Sequence, residues 1–117
     1  MSGIVFFRSA NRERVVEWYT THLGFEQWLE QEGGCTILKY KNLLVGFCDA
    51  ENTETDGILT VVVEDRQAVD DQYEQLKAFA EESPTVNEAF DIYHFFMHDP
   101  DGRTVEVQTF LHELPPT

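Results

Sequence analysis

Hydropathy along this chain runs twice through one order of elements, a short apolar strand, an amphipathic helix and three further strand-like runs, at a period of roughly 55 to 60 residues. In the first pass Ile4 to Phe7 is the strand. Asn11 is placed to cap a helix on which Val15, Val16, Tyr19 and Leu23 recur at helical spacing, and Gly24 supplies its stop. Three strand runs follow, Phe25 to Gln31, Cys35 to Tyr40 and Leu43 to Cys48, parted by Gly33-Gly34 and Lys41-Asn42. In the second pass Ile58 to Val63 is the strand, and Asp65 caps a helix carrying Val69, Tyr73, Leu76 and Ala80 on its buried stripe until Ser83-Pro84 ends it. A weaker strand from Val86 to Phe90 and a final hairpin complete the second pass. Neither pass has enough apolar surface for a core of its own, so the chain reads as one α+β domain of two βαβββ modules, 1–50 and 57–114, joined by a polar linker at 51–56.

The hairpin carries the chemistry. Asp99-Pro100-Asp101-Gly102 has the residues of a tight turn, so the strands on either side fold back on each other. Alternation then sets His94, Phe96 and His98 on one face of the first strand, and Thr104, Glu106, Gln108 and Phe110 on one face of the second. Val105 and Val107 make the other face apolar, so Glu106 and Gln108 point to water or into a polar cavity.

Charge and composition exclude several classes of function. The net charge is −14, with nine acidic against five basic side chains up to residue 56 and thirteen against three beyond it. A phosphate backbone would be repelled over most of such a surface, so nucleic acid is not an expected partner. The acids are spread along the chain and only three residues are Lys, which favours adaptation to high salt over a local cation-binding patch. Nine Phe and two Trp in 117 residues argue for a packed, sheet-rich domain over a disordered acidic one. No run approaches the roughly 18 apolar residues of a membrane span and no leader pattern is visible, so a soluble, cytoplasmic protein with no membrane partner is expected. Cys35 and Cys48 lie in strand runs without metal-type spacing and read as buried free thiols.

Two stretches are specific enough to name a resemblance. Glu17-Trp18-Tyr19-Thr20-Thr21-His22-Leu23-Gly24-Phe25 closes the first helix, and Phe96-Met97-His98-Asp99-Pro100-Asp101-Gly102-Arg103-Thr104-Val105-Glu106-Val107 lies near the end. Set in the twice-repeated element order, they resemble the vicinal oxygen chelate superfamily, which includes glyoxalase I, extradiol dioxygenases and the fosfomycin and bleomycin resistance proteins. The resemblance covers nearly the whole chain. It implies modules curled into an eight-stranded mixed sheet, the inner face lining a ligand cavity, and often a two-fold dimer. A homodimer is therefore expected here, with Trp18, lateral to the stripe of Tyr19, as a candidate contact.

Metal-dependent members of that superfamily place ligands on the first and last strands of both modules, and Glu106 matches the last of these positions. Counting back from the helix starts puts Ile4 and Ile58 at the first-strand positions, Gly46 takes the place in the first module that Glu106 has in the second, and none of these three side chains offers a lone pair. No cofactor is thus expected, although His94, His98 and Glu106 on adjacent strands leave a rebuilt divalent-metal site open. The ligand-binding candidates are Glu106, His94, Phe96, Gln108, His98, Phe47 and Trp28, with Glu106 and His94 also candidates for acid–base work. Two functions follow. One is a metal-free binding protein for an aromatic or cationic small molecule. The other is a glyoxalase-like lyase or isomerase, or a dioxygenase-like enzyme, acting on a small vicinally oxygenated metabolite.

Overall fold

The computed structural model describes residues 3–116. Two helices and eight strands follow in the order β1 (Ile4–Ser9), α1 (Arg12–His22), β2 (Glu26–Gln31), β3 (Cys35–Tyr40), β4 (Leu43–Asp49), β5 (Ile58–Val62), α2 (Arg66–Leu76), β6 (Thr85–Asn87), β7 (Ile92–His98) and β8 (Thr104–Phe110). The βαβββ order occurs twice, as the hydropathy pattern predicts. The eight strands form two four-stranded mixed sheets, β1-β4-β3-β2 and β5-β8-β7-β6. In each, the first strand runs parallel to the last while the others pair antiparallel. A parallel pair needs a crossover, and α1 and α2 begin those crossovers. No described helix is long and apolar enough to cross a membrane.

The chain divides into two compact units. The first runs to Asp56 and also takes in Asp99–Gly102, and the second comprises Gly57–His98 and the residues from Arg103 on. In the first unit α1 buries Val15, Trp18 and Tyr19. Tyr19 stacks on Phe47 at 5.1 Å, and Phe47 in turn lies 6.1 Å from Phe7, so alternate residues of β1 and β4 meet under the helix. The Tyr19 hydroxyl donates to Asp99 Oδ2 at 2.8 Å, which satisfies a buried carboxylate. Asp99 also organises its own turn, accepting from Asp101 N through its side chain and from Gly102 N through its carbonyl. The polar segment after β4 is anchored to the end of β1. Glu54 N donates to Arg8 O, Arg8 N to Glu54 Oε1 and Ala10 N to Thr53 Oγ1.

Four sequence expectations are corrected in these elements. Trp18 is 6% exposed and packs edge-on against Tyr19 at 5.0 Å, so adjacent helix residues both reach the core and a subunit-contact role for Trp18 loses its basis. Asn11 stands at the N-cap but makes no side-chain cap; its own N–H donates to Ser9 Oγ. Helix α2 ends at Leu76, and Ala80 instead pairs with Met97 in a single bridge. Cys35 and Cys48 are joined in a disulfide and are not free thiols. The antiparallel β3–β4 register places them directly opposite with Cα atoms 4.1 Å apart, a long-range pairing that local spacing did not reveal.

In the second unit, Asp65 caps α2 by accepting from Ala68 N. Val69 and Leu76 are buried, and Tyr73 meets Phe95 edge-on at 5.4 Å. Tyr93 Oη donates to Asp70 Oδ1 at 2.6 Å, and this bond raises the phenol above its ordinary value by favouring the protonated form. Leu59, Val61, Val105 and Val107 complete the apolar side of the sheet. Their alternates, Thr60, Glu106 and Gln108, therefore lie on the opposite face with His94 and Phe96.

Candidate functional site

Three strands of the second unit bring the polar centre together. Glu106 is opposite Phe96 across β8–β7 and opposite Thr60 across β8–β5, while His94 is opposite Gln108. His94 and Glu106 are thus diagonal neighbours, and the diagonal is short enough for long side chains to meet. His94 Nδ1 lies 2.6 Å from Glu106 Oε2, and Thr60 Oγ1 donates to Glu106 Oε1 at 2.8 Å. Both residues are 8% exposed. Because a carboxylate only accepts, Nδ1 is the donor of this bond, and in the neutral ring the lone pair is then on Nε2. No hydrogen bond from the described residues engages Nε2.

A cavity of about 300 Å³ opens beside this pair, lined by Ile58, Asn87, Phe90, Ile92, His94, Phe96, Glu106, Gln108 and Phe110. Its walls are mostly apolar, with the His94–Glu106 pair and the Asn87 and Gln108 carboxamides as its polar groups, a composition typical of small-molecule sites. Phe96 meets the His94 ring edge-on at 5.0 Å and so fixes its plane. Phe90 is 70% exposed at the rim, on a turn where its N–H donates to Asn87 Oδ1 and the next residue, Asp91, has φ +54°. A larger hollow of about 510 Å³ lies along the start of α1, but it is a polar surface groove whose Arg12 is already bound to Glu30 and Asp49. In that cluster the Thr36 hydroxyl, followed by Arg12, holds the Glu30 carboxyl below its usual range.

Of the predicted ligand-binding residues, the structure gathers His94, Phe96, Glu106 and Gln108 at one cavity. Phe47 is corrected: it is fully buried against Tyr19 because its alternation in β4 faces α1. Trp28 sits at an irregularity of β2 between Gln27 and Leu29, is half exposed in the first unit, and is not among the residues that line this cavity. His98 shares the strand face of His94 but lies at the end of β7, where Nε2 is 3.3 Å from Glu81 Oε1. The rebuilt metal set of His94, His98 and Glu106 is therefore not assembled. Among the described residues no group of three donors stands ready for an ion.

The ladders also correct the count of first-strand positions. The residue beside Gly46 on β1 is Phe6, and the one beside Glu106 on β5 is Thr60, each two residues beyond Ile4 and Ile58. Counting back from a helix assumes a fixed connection between strand and helix, which the strand pairings do not follow. In the first unit a Cβ on Gly46 would come within 2.4 Å of the Phe6 ring. An aromatic ring over bare backbone thus stands where the second unit has a hydroxyl over a carboxylate. Sequence reasoning missed Thr60, because its partner is 46 residues away in a parallel pairing.

No protein-family model matches the chain, and no curated protein does. Solved structures do match along nearly its whole length. A glyoxalase/bleomycin resistance protein/dioxygenase from Nocardioides is 19% identical with a TM-score of 0.78, covering 100% of this chain and 87% of its own. Lactoylglutathione lyase from Agrobacterium tumefaciens is 17% identical with a TM-score of 0.76, covering 93% and 92%. A glyoxalase/bleomycin resistance protein/dioxygenase family enzyme from Burkholderia phytofirmans is 15% identical with a TM-score of 0.79, covering 92% and 97%. At these identities the likeness is one of fold. It is the fold of the vicinal oxygen chelate proteins that the two sequence signatures resemble.

Proposed function

We propose that the protein binds a small aromatic molecule, without a metal, on the open face of its second sheet. The observation that carries this reading is the cavity of about 300 Å³, with three Phe side chains around one buried polar pair. The sequence suggests Glu106 as the direct anchor, but its two oxygens are already accepting from Thr60 and His94. His94 Nε2 is then the group that meets the ligand, and Glu106 orients it. Phe96, Phe110 and Phe90 receive the ligand's ring, at offset or edge-on contacts worth about 0.5–1.5 kcal/mol each beyond area. The carboxamide of Gln108 adds a donor and an acceptor at the cavity wall.

The absence of a metal in this proposal rests on the donor chemistry. Glu106 is engaged by two donors, His98 is drawn to Glu81, and Phe6 over Gly46 offers no lone pair. A second reading, a lyase or isomerase of small vicinally oxygenated metabolites, is supported by the carboxylate-oriented imidazole, an arrangement suited to moving protons. The lactoylglutathione lyase among the similar structures is consistent with it, at the level of fold alone.

A thermal-shift screen of small aromatic amines, phenols and vicinal oxo-acids tests the proposal, since a ligand that binds only the folded chain raises its melting temperature by mass action. We expect aromatic hits whose shift is reduced in Glu106→Gln and in Phe96→Ala. Hits that stabilise both variants as strongly as the wild type would place binding elsewhere and overturn the assignment of this cavity.

A further inference from the structure

We propose that this cavity takes a planar aromatic compound bearing an acidic hydroxyl, a phenol or an enol, and draws the hydroxyl proton onto His94 Nε2. The inference rests on the reading of the cavity as a binding site and adds what the site does to its ligand. Three side chains on three strands form a directed chain in which Thr60 Oγ1 donates to Glu106 Oε1 and His94 Nδ1 donates to Glu106 Oε2. Thr60 Oγ1, both Glu106 oxygens and His94 Nδ1 each have a partner in that chain, whereas His94 Nε2, on a residue that lines the cavity, has none among the described residues. An imidazole whose far nitrogen is held by a carboxylate is both oriented and stabilised in its protonated form.

The step balances within the cavity. The ligand O–H bond breaks with its electron pair left on oxygen, and an N–H bond forms at Nε2. The imidazolium then stands between two anions, the Glu106 carboxylate and the ligand oxyanion, and donates to both. No oxidant, metal or second reactant takes part.

Charge decides which form of the ligand the site accepts. With the imidazole neutral before binding, the pair and ligand together hold a single negative charge before and after transfer, because the proton never leaves the cavity. A preformed anion arriving from solvent would add a second negative charge beside Glu106, on a chain whose net charge is −14. The neutral acid avoids that repulsion and gains a charge-assisted hydrogen bond once bound. The site should therefore select un-ionised phenols or enols, with the apolar ring against Phe96 and Phe110 and the hydroxyl toward His94.

Two probes with the same ring separate this step from binding itself: meta-nitrophenol, which has the proton, and meta-nitroanisole, which does not. Each is titrated into the full chain in near-neutral buffer, above the ordinary imidazole range of about 6.5 and below the ionisation of the free phenol, reading affinity by calorimetry and ionisation by the red-shifted nitrophenolate band. The expected result is a nitrophenolate band that appears only on binding, with the phenol held roughly 10 to 100 times more tightly than the anisole, the ratio set by one charge-assisted hydrogen bond. Glu106→Gln and His94→Asn, each checked for folding by circular dichroism, should both lose the band, and Thr60→Val gives a milder variant should either fail to fold. Equal affinity for the two probes without a band would overturn proton transfer while leaving the binding site standing. Binding of neither probe would overturn the site and the inference together, and a band that survives in all folded variants would show that His94 is not the base.

Discussion

Glu106 has a neighbour on each side of its carboxylate, and those neighbours differ in how visible they are in the sequence. His94 lies twelve residues away across a hairpin whose turn chemistry and alternation are local, so its place on the same face as Glu106 could be read directly. Thr60 belongs to a parallel strand reached through a crossover, and no local pattern reports that register. The remaining cavity residues, such as Asn87 and Phe110, depend on the same long-range pairings. Thr60→Val preserves shape but removes the donor to Glu106 Oε1, and a hydrogen bond to a charged group is worth about 1.5–3 kcal/mol. Urea unfolding should show the midpoint falling by that amount of stability at unchanged slope, with Thr60→Ser restoring most of it. A midpoint equal to the wild type would mean that Thr60 does not support the carboxylate.

At the scale of the elements, period and turn signals located both helices, all eight strands and the Asp99–Gly102 turn, because those signals act over a few residues. Which strand aromatics face a helix was not legible. Phe47 and Phe96 occupy similar strand runs, yet Phe47 lies under α1 and Phe96 on the open face. The two parallel pairs show how far the modules have diverged, with Phe6 over Gly46 in one and Thr60 over Glu106 in the other. Gly46→Ala puts a methyl within 2.4 Å of the Phe6 ring, and overpacking of this kind costs about 1–3 kcal/mol. Adding Phe6→Ala should recover much of that loss in a double-mutant cycle, because the clash is with the ring and not with backbone. A cycle with no coupling would show that Gly46 is there for some other reason.

For the whole molecule, the fold followed from two short signatures and an element order, while the ligand did not follow, since cavity shape is set by packing between residues far apart in the chain. The 22 carboxylates against eight basic side chains bear on stability more than on fold. Screening shortens the reach of their repulsion from about 10 Å at 0.1 M salt to about 3 Å at 1 M, so the melting temperature should rise between low and molar potassium chloride. A flat response would argue against salt adaptation. The central claim, that His94 is the polar group a ligand meets in the second sheet, is tested most directly by the nitrogen-15 spectrum of the histidine rings. The chain has four histidines, so each can be assigned by single substitution. Titration with an aromatic hit should move Nε2 of His94, with Nδ1 protonated throughout, and leave His22, His98 and His112 unmoved; a response at those three without one at His94 would contradict the account.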